Sequence, residues 1–198
     1  MNLMQPFSTH LDLESGVITP VDRVIRRHLS DMRHMYADEA AEQRLLETEG
    51  DRLIYEVYPV DLPEEEGQVL HSTTVLHPGR VGDEYHMTKG HFHVKRDRAE
   101  IYVGLAGEGW LVMQTEDGTV SSVKMARGTI AYVPPYWAHR TVNTGDVPFV
   151  FLAAWPGDSG HDYSTIEARG FAKILVARGG EPVLVDNPKY QTEDRERA

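Results

Sequence analysis

From Leu53 onward the hydrophobic residues of this chain recur with a period of two, in one short run after another. That repeated alternation confines the chain to a β fold. Residues 53–58, 73–76, 110–113, 120–123, 129–133 and 149–152 each read as a strand. Asp117-Gly118 is the dipeptide of a two-residue hairpin turn of the primed type, and Pro-Gly, Gly-Glu and Gly-Asp pairs divide the rest. Many short strands separated by such turns predict a sandwich or barrel. A jelly roll closes a set of this kind while protecting its edges.

The first 50 residues read differently. Residues 38–47 form a helix, opened by acids that suit the positive end of its dipole and closed by Gly50. Residues 24–29 fit either a strand or a short helical piece. His28, His34 and the arginines around them read as surface groups. The expected division is an N-terminal extension with one helix over 1–50, one domain over 51–190 and a frayed tail over 191–198.

Composition narrows the partners. A chain without cysteine has no disulfide and no thiolate-ligated zinc, and it fits a cytoplasmic life. No apolar stretch reaches the length of a membrane span, and residues 1–6 lack the pattern of a signal peptide, so no membrane partner is expected. A formal net charge of −11 argues against nucleic acid, whose phosphates call for a basic surface. A small anionic substrate answers only to the local field, and Lys89, Lys95, Arg96 and Arg98 crowd one short segment.

That segment carries the chemistry. On an extended backbone successive side chains alternate, so His91 and His93 project together while Phe92 packs behind them. Glu100 follows a charged turn at the start of a returning strand, and His139 arrives from a separate strand. Three imidazoles and one carboxylate form a metal-ligand set. Mixed N/O donors without thiolate suit Fe²⁺, Mn²⁺, Ni²⁺ or Zn²⁺, one ion per chain. Such an ion acts either as a Lewis acid on a carbonyl or hydroxyl or as an activator of dioxygen.

The surrounding spacing, Glu100 then Gly107, and later Gly128, Pro134, His139 and Asn143, resembles the two half-motifs of the cupin superfamily. Two departures stand out. Six residues separate His93 from Glu100 where three or four are usual, and Tyr136 takes a place usually held by glycine. Longer stretches (residues 85–93, 132–143, 160–163 and 186–188) resemble the cupin-type glucose-6-phosphate isomerases known best from archaea. The resemblance implies an all-β cupin jelly-roll barrel and a homodimer. It also implies one divalent metal, iron foremost, and interconversion of glucose 6-phosphate and fructose 6-phosphate in glycolysis and gluconeogenesis. It assigns Glu100 a second role as candidate base and adds Tyr55, Thr74 and Tyr163 to a phosphate subsite. A hydride shift between C1 and C2 is the alternative to a base.

From residue chemistry, Thr88 and Gly90 offer a hydroxyl and an unhindered backbone N–H to that phosphate. His161 offers an imidazole for ring opening or proton transfer. Tyr102, Tyr136 and Trp155 are expected to wall a sugar cavity. Two other functions fit the ligands: an iron-dependent cupin dioxygenase, favoured by an apolar pocket, and a sugar-phosphate-binding cupin without turnover.

Overall fold

The structure, a computed structural model, describes residues 4–191. Strands β1 (His10–Leu11) and β2 (Ile18–Thr19) pair ahead of β3 (Ile25–His28). A 3₁₀ turn, Leu29–Met32, and helix α1 (Glu39–Thr48) lead to β4 (Leu53–Pro59), β5 (Val69–Leu76), β6 (Arg80–Val81) and β7 (Glu84–Tyr85). Then come β8 (Glu100–Ala106), β9 (Glu108–Gln114), β10 (Val120–Ala126), β11 (Ile130–Val133), β12 (Ala138–Asn143) and β13 (Phe149–Pro156). Helix α2 (Ser164–Arg169) precedes the closing hairpin, β14 (Lys173–Arg178) and β15 (Glu181–Asp186).

The pairing is nested. β8 pairs with β13, β9 pairs with β12 inside it, and the short 127–129 connection joins β10 to β11 innermost. This wrap puts β11-β8-β13-β5-β4-β3 in one six-stranded sheet and β10-β9-β12 in a three-stranded one. It is an all-β cupin jelly-roll barrel with a small helical piece at its N-terminal side. The alternation shows in burial: Glu100, Tyr102 and Gly104 of β8 are buried while Ile101 is exposed and Val103 half-buried, and β11 alternates throughout.

One open reading is decided, one local expectation changes, and the N-terminal piece gains a packing role. Residues 24–29 contribute a strand, β3, whose register on β4 sets Arg27 opposite Tyr55. The β9–β10 turn is not of the primed type, which needs positive φ at its first central residue. Here Thr115 N–H donates to Thr119 O (3.0 Å) and only Gly118 in the loop has positive φ, at 85°. That is a three-residue loop with glycine in the left-handed position. Finally, the N-terminal segment packs against the body. β3 is an edge strand of the main sheet, and Leu29, Met32 and Tyr36 pack in one core with Ile54, Leu111 and Phe149. Burying these side chains is worth about 1.5–3 kcal/mol each, which an isolated helix could not recover. Helix α1 itself begins as expected, with the Asp38 carboxylate accepting from Ala41 N–H (2.8 Å). Gln191 apart, the tail over 191–198 lies outside the described residues.

Candidate functional site

The 91–93 segment is extended but belongs to no ladder. Two isolated antiparallel bridges hold it, His91 to His139 and Phe92 to Asp162. Phe92 is buried behind, with the Arg96 guanidinium over its ring at 4.5 Å. Arg96 also donates to the His93 carbonyl and to Asp162 Oδ2 (2.7 Å), so it braces the segment.

His91, His93, Glu100 and His139 each offer one ligand atom, and these atoms lie within 4.8 Å of one another. Glu100 Oε2 stands 3.1 Å from His93 Nε2 and 2.9 Å from His139 Nε2. The other ring nitrogens are spoken for: His93 Nδ1 is 2.9 Å from Arg98 O, and His139 Nδ1 is 3.3 Å from Trp137 O. A carbonyl oxygen only accepts, so each Nδ1 carries the proton and each Nε2 presents a lone pair. His91 Nε2 is buried without a hydrogen-bond partner. Lone pairs turned toward a buried carboxylate are stable only around a cation. The donor set therefore fits a divalent ion, and this buried His/Glu group could hold one.

Electrostatics agree with that fit. Burial holds the His91 imidazole well below its ordinary value, and the His139 and His161 rings add to the effect. Its neutral form is the ligating form. Burial raises the Glu100 carboxyl, but positive charge at the surrounding imidazoles, the charge that a bound cation would supply in their place, outweighs it and holds the group below the usual carboxylate range. Burial and the neighbouring Glu100 charge keep the Tyr102 phenol well above its ordinary value.

The cluster forms the floor of a cavity of about 460 Å³, the size that suits a small organic ligand. Tyr55, Thr74, Thr88, Gly90, Tyr102 and Tyr163 all line it. So do His91, Glu100, His139, Trp155 and His161, whereas His93 sits behind the floor. Thr88 Oγ1 accepts from Thr141 N–H (3.0 Å) and lies 3.3 Å from Thr141 Oγ1, which fixes its hydroxyl at the cavity wall. Gly90 has φ 76°, and a Cβ there would meet Phe171 at 2.8 Å and Arg140 at 2.9 Å, so only glycine brings its N–H to the cavity wall. His161 stands at the cavity mouth, part of the residue exposed and its ring turned among other rings. It packs 4.5 Å from His91 and 5.6 Å from Trp155, and stacks on Tyr163 at 16°. Burial among them lowers its pKa, so the ring is neutral near pH 7.

A family model described as glucose-6-phosphate isomerase matches residues 26–193. The chain belongs to that family. A relative from Thermococcus litoralis, named glucose-6-phosphate isomerase, is 51% identical over 191 residues, covering 96% of this chain and 100% of its own. One of the same name from Sinorhizobium medicae is 37% identical over 97% of this chain and 91% of its own. Among solved structures, an oxalate oxidase aligns over 59% of this chain and 58% of its own, with 16% identity and a TM-score of 0.47.

For a glucose-6-phosphate isomerase family member, the placement of the charged residues is informative. Lys95 and Arg98 do not reach the cavity; both are tied to Asp158 (2.7 and 2.8 Å). Arg96 is held by Asp162 (2.7 Å) and Glu116 (3.0 Å). Only Lys89 of that basic run lines the cavity, and Glu167 lies 3.2 Å from its ammonium. Tyr136 is also displaced from its expected place as a wall. It is 61% exposed, with φ 72° and its N–H donated to Arg96 O (2.6 Å). Its unusual φ explains why a glycine commonly stands there. Arg23 and Arg27, read from sequence as surface groups, line the cavity instead. The one signal that could have found Arg27 was the alternation of residues 25–28, once their strand was assigned to this sheet.

Proposed function

We propose that the chain interconverts glucose 6-phosphate and fructose 6-phosphate at a divalent metal held by His91, His93, Glu100 and His139, with Fe²⁺ the native ion. One observation carries the reading: in a chain of this family, the buried N/O cluster and a hydroxyl-lined recess share one cavity. A divalent ion held there supplies Lewis-acid stabilisation of charge developing on sugar oxygens. The hydroxyls and phenols around it count against an iron-dependent dioxygenase, which an apolar pocket would favour.

The chain's own residues do the rest. Thr88, Gly90, Tyr55, Thr74 and Tyr163 hold the phosphate through hydroxyl and backbone donors. His161 moves a proton at the ring oxygen as the sugar opens. Glu100, alone buried among the carboxylates lining the cavity, carries the proton between C2 and C1. Tyr102 fixes its orientation. The step is an internal redox exchange that needs no external oxidant. Sugar phosphates do not cross membranes freely, so the reading includes a cytoplasmic location.

The test is to incubate purified protein with fructose 6-phosphate in deuterated water and follow glucose 6-phosphate. Turnover with deuterium at C2 is expected. Turnover without label replaces the Glu100 proton transfer by a hydride shift, and tight binding without product leaves a sugar-phosphate-binding protein.

A homodimer is part of this reading. On the outward face of the main sheet Tyr132 stands opposite Ile101 and Ile130 opposite Val103, and Ile130 and Tyr132 are 72% and 57% exposed. A contiguous apolar row of this kind suits a second copy of the chain. Light scattering should give a dimer, and Ile130→Glu a monomer. A wild-type monomer would refute the proposal.

A further inference from the structure

Strand β3 alternates across the sheet. Arg26 turns away from the cavity and pairs with Glu56 (2.9 Å), while Ile25 and Arg27 face into it. Arg27 stands directly opposite Tyr55, and cross-strand partners share a face. Burial raises the Tyr55 phenol, while the nearby Arg27 guanidinium and the backbone N–H of Lys89 act against it. That N–H lies between Thr88 and Gly90. Arg27 therefore reaches the end of the cavity where the Thr88 hydroxyl and the Gly90 backbone are presented.

Charge narrows the choice. The Lys89 ammonium has Glu167 at 3.2 Å, whereas among the described residues neither Arg23 nor Arg27 makes an ion pair with a carboxylate, and of these two only Arg27 stands opposite Tyr55. Asp61 and Glu64 border the same cavity, and the chain carries a net charge of −11. A dianion entering such a field needs a local cation, and a guanidinium meets phosphate oxygens with two parallel donors.

We propose that Arg27 is the cation that seats the substrate's phosphate and sets the preference for phosphorylated over free sugar. The proposal rests on the isomerase reading above and places a specificity residue outside both metal half-motifs, on the edge strand.

The test compares wild type with Arg27→Gln and Arg27→Lys, using fructose 6-phosphate, fructose and inorganic phosphate as probes. Arg27→Gln should raise KM for fructose 6-phosphate roughly 10- to 100-fold, the effect of losing a charged hydrogen bond, with kcat little changed. Inhibition by inorganic phosphate should weaken by a similar factor, any rate on fructose should stay as in wild type, and Arg27→Lys should recover part of the loss. Unchanged KM and unchanged phosphate inhibition in Arg27→Gln would overturn the proposal, as would a fall in kcat alone, which is what mispositioned Tyr55 would give. Should wild type turn over no sugar phosphate, the isomerase reading fails by itself. Calorimetric binding of inorganic phosphate to the three proteins then still decides Arg27, because equal affinities would overturn its role. Should Arg27→Gln fail to fold, Arg27→Lys decides alone, since wild-type affinity for phosphate in every assay would also overturn the bidentate contact.

Discussion

Glu100 and Glu84 are equally buried, each 4% exposed, yet the protein drives their carboxyls in opposite directions. At Glu84 burial dominates and pushes the pKa up to about 7, against the Ala37 N–H (2.8 Å) and the charge of Arg140. At Glu100 the same burial is overcome by imidazoles on two sides. What faces a buried carboxylate therefore decides its charge. A single strand serves both regions. His139 and Arg140 are neighbours on β12 and point to opposite faces, so one joins the metal cluster and the other goes to the sealed side. There Arg140 donates to Lys89 O (2.9 Å) and lies 4.1 Å over the Phe171 ring, with burial lowering its pKa to about 10.

Exchanging each glutamate for its neutral isostere would break this contrast most sharply. Glu100→Gln should lower turnover roughly 10²–10⁴-fold, the usual contribution of a proton-transfer group. Elemental analysis of the same protein separates a lost base, with metal retained, from a lost ligand. Glu84→Gln should leave turnover near wild type and act on stability. Glu84 binds its proton up to about pH 7 when folded and up to its ordinary value of 4.5 when unfolded. The folded chain thus holds the extra proton between these values, so wild-type stability should fall as pH rises through that window and then level off. Denaturant unfolding should find the variant equal to wild type near about pH 4 and more stable by about 1–3 kcal/mol near about pH 8. A variant whose advantage did not grow with pH would remove the contrast.

Gly90 lies between the two regions. A Cβ there would press on Arg140 and Phe171 on one side and on His139 O (3.0 Å) on the other. Gly90→Ala should cost about 1–3 kcal/mol in thermal unfolding and also reduce metal content, because strain passes to both. Stability lost without metal lost would mean the regions are independent. The smallest effect belongs to Tyr102→Phe. Removing the phenol that stands beside Glu100 in the cavity should slow turnover about tenfold while metal stays bound, as stopped assays and elemental analysis would report.

The contrast also separates what the sequence discloses from what it hides. His91, His93, Glu100 and His139 are legible because alternation and spacing are local properties, and their half-motifs restrict the geometry. The recess residues Thr88 and Gly90 are legible for the same reason, being contiguous with the ligands. Glu84, Arg140 and Arg27 are not. Nothing local marks Glu84 or Arg140, and Arg27 lies in a run that reads as surface, because their surroundings come from other parts of the chain: α2 and β14 flank the Phe171 that lies under Arg140, and β4 lies beside Arg27. Lys95, Arg96 and Arg98 mislead in the opposite sense. Proximity in sequence to the metal motif suggested a field for substrate, but Asp158, Asp162 and Glu116 neutralise them in the fold.

The most direct test of the proposed centre is a metal titration of the isomerisation itself. Protein stripped with chelator, and confirmed metal-free by elemental analysis, should not convert fructose 6-phosphate to glucose 6-phosphate. Activity should return in proportion to added Fe²⁺ and saturate at one ion per chain. Full turnover in the metal-free protein would contradict the centre built by His91, His93, Glu100 and His139.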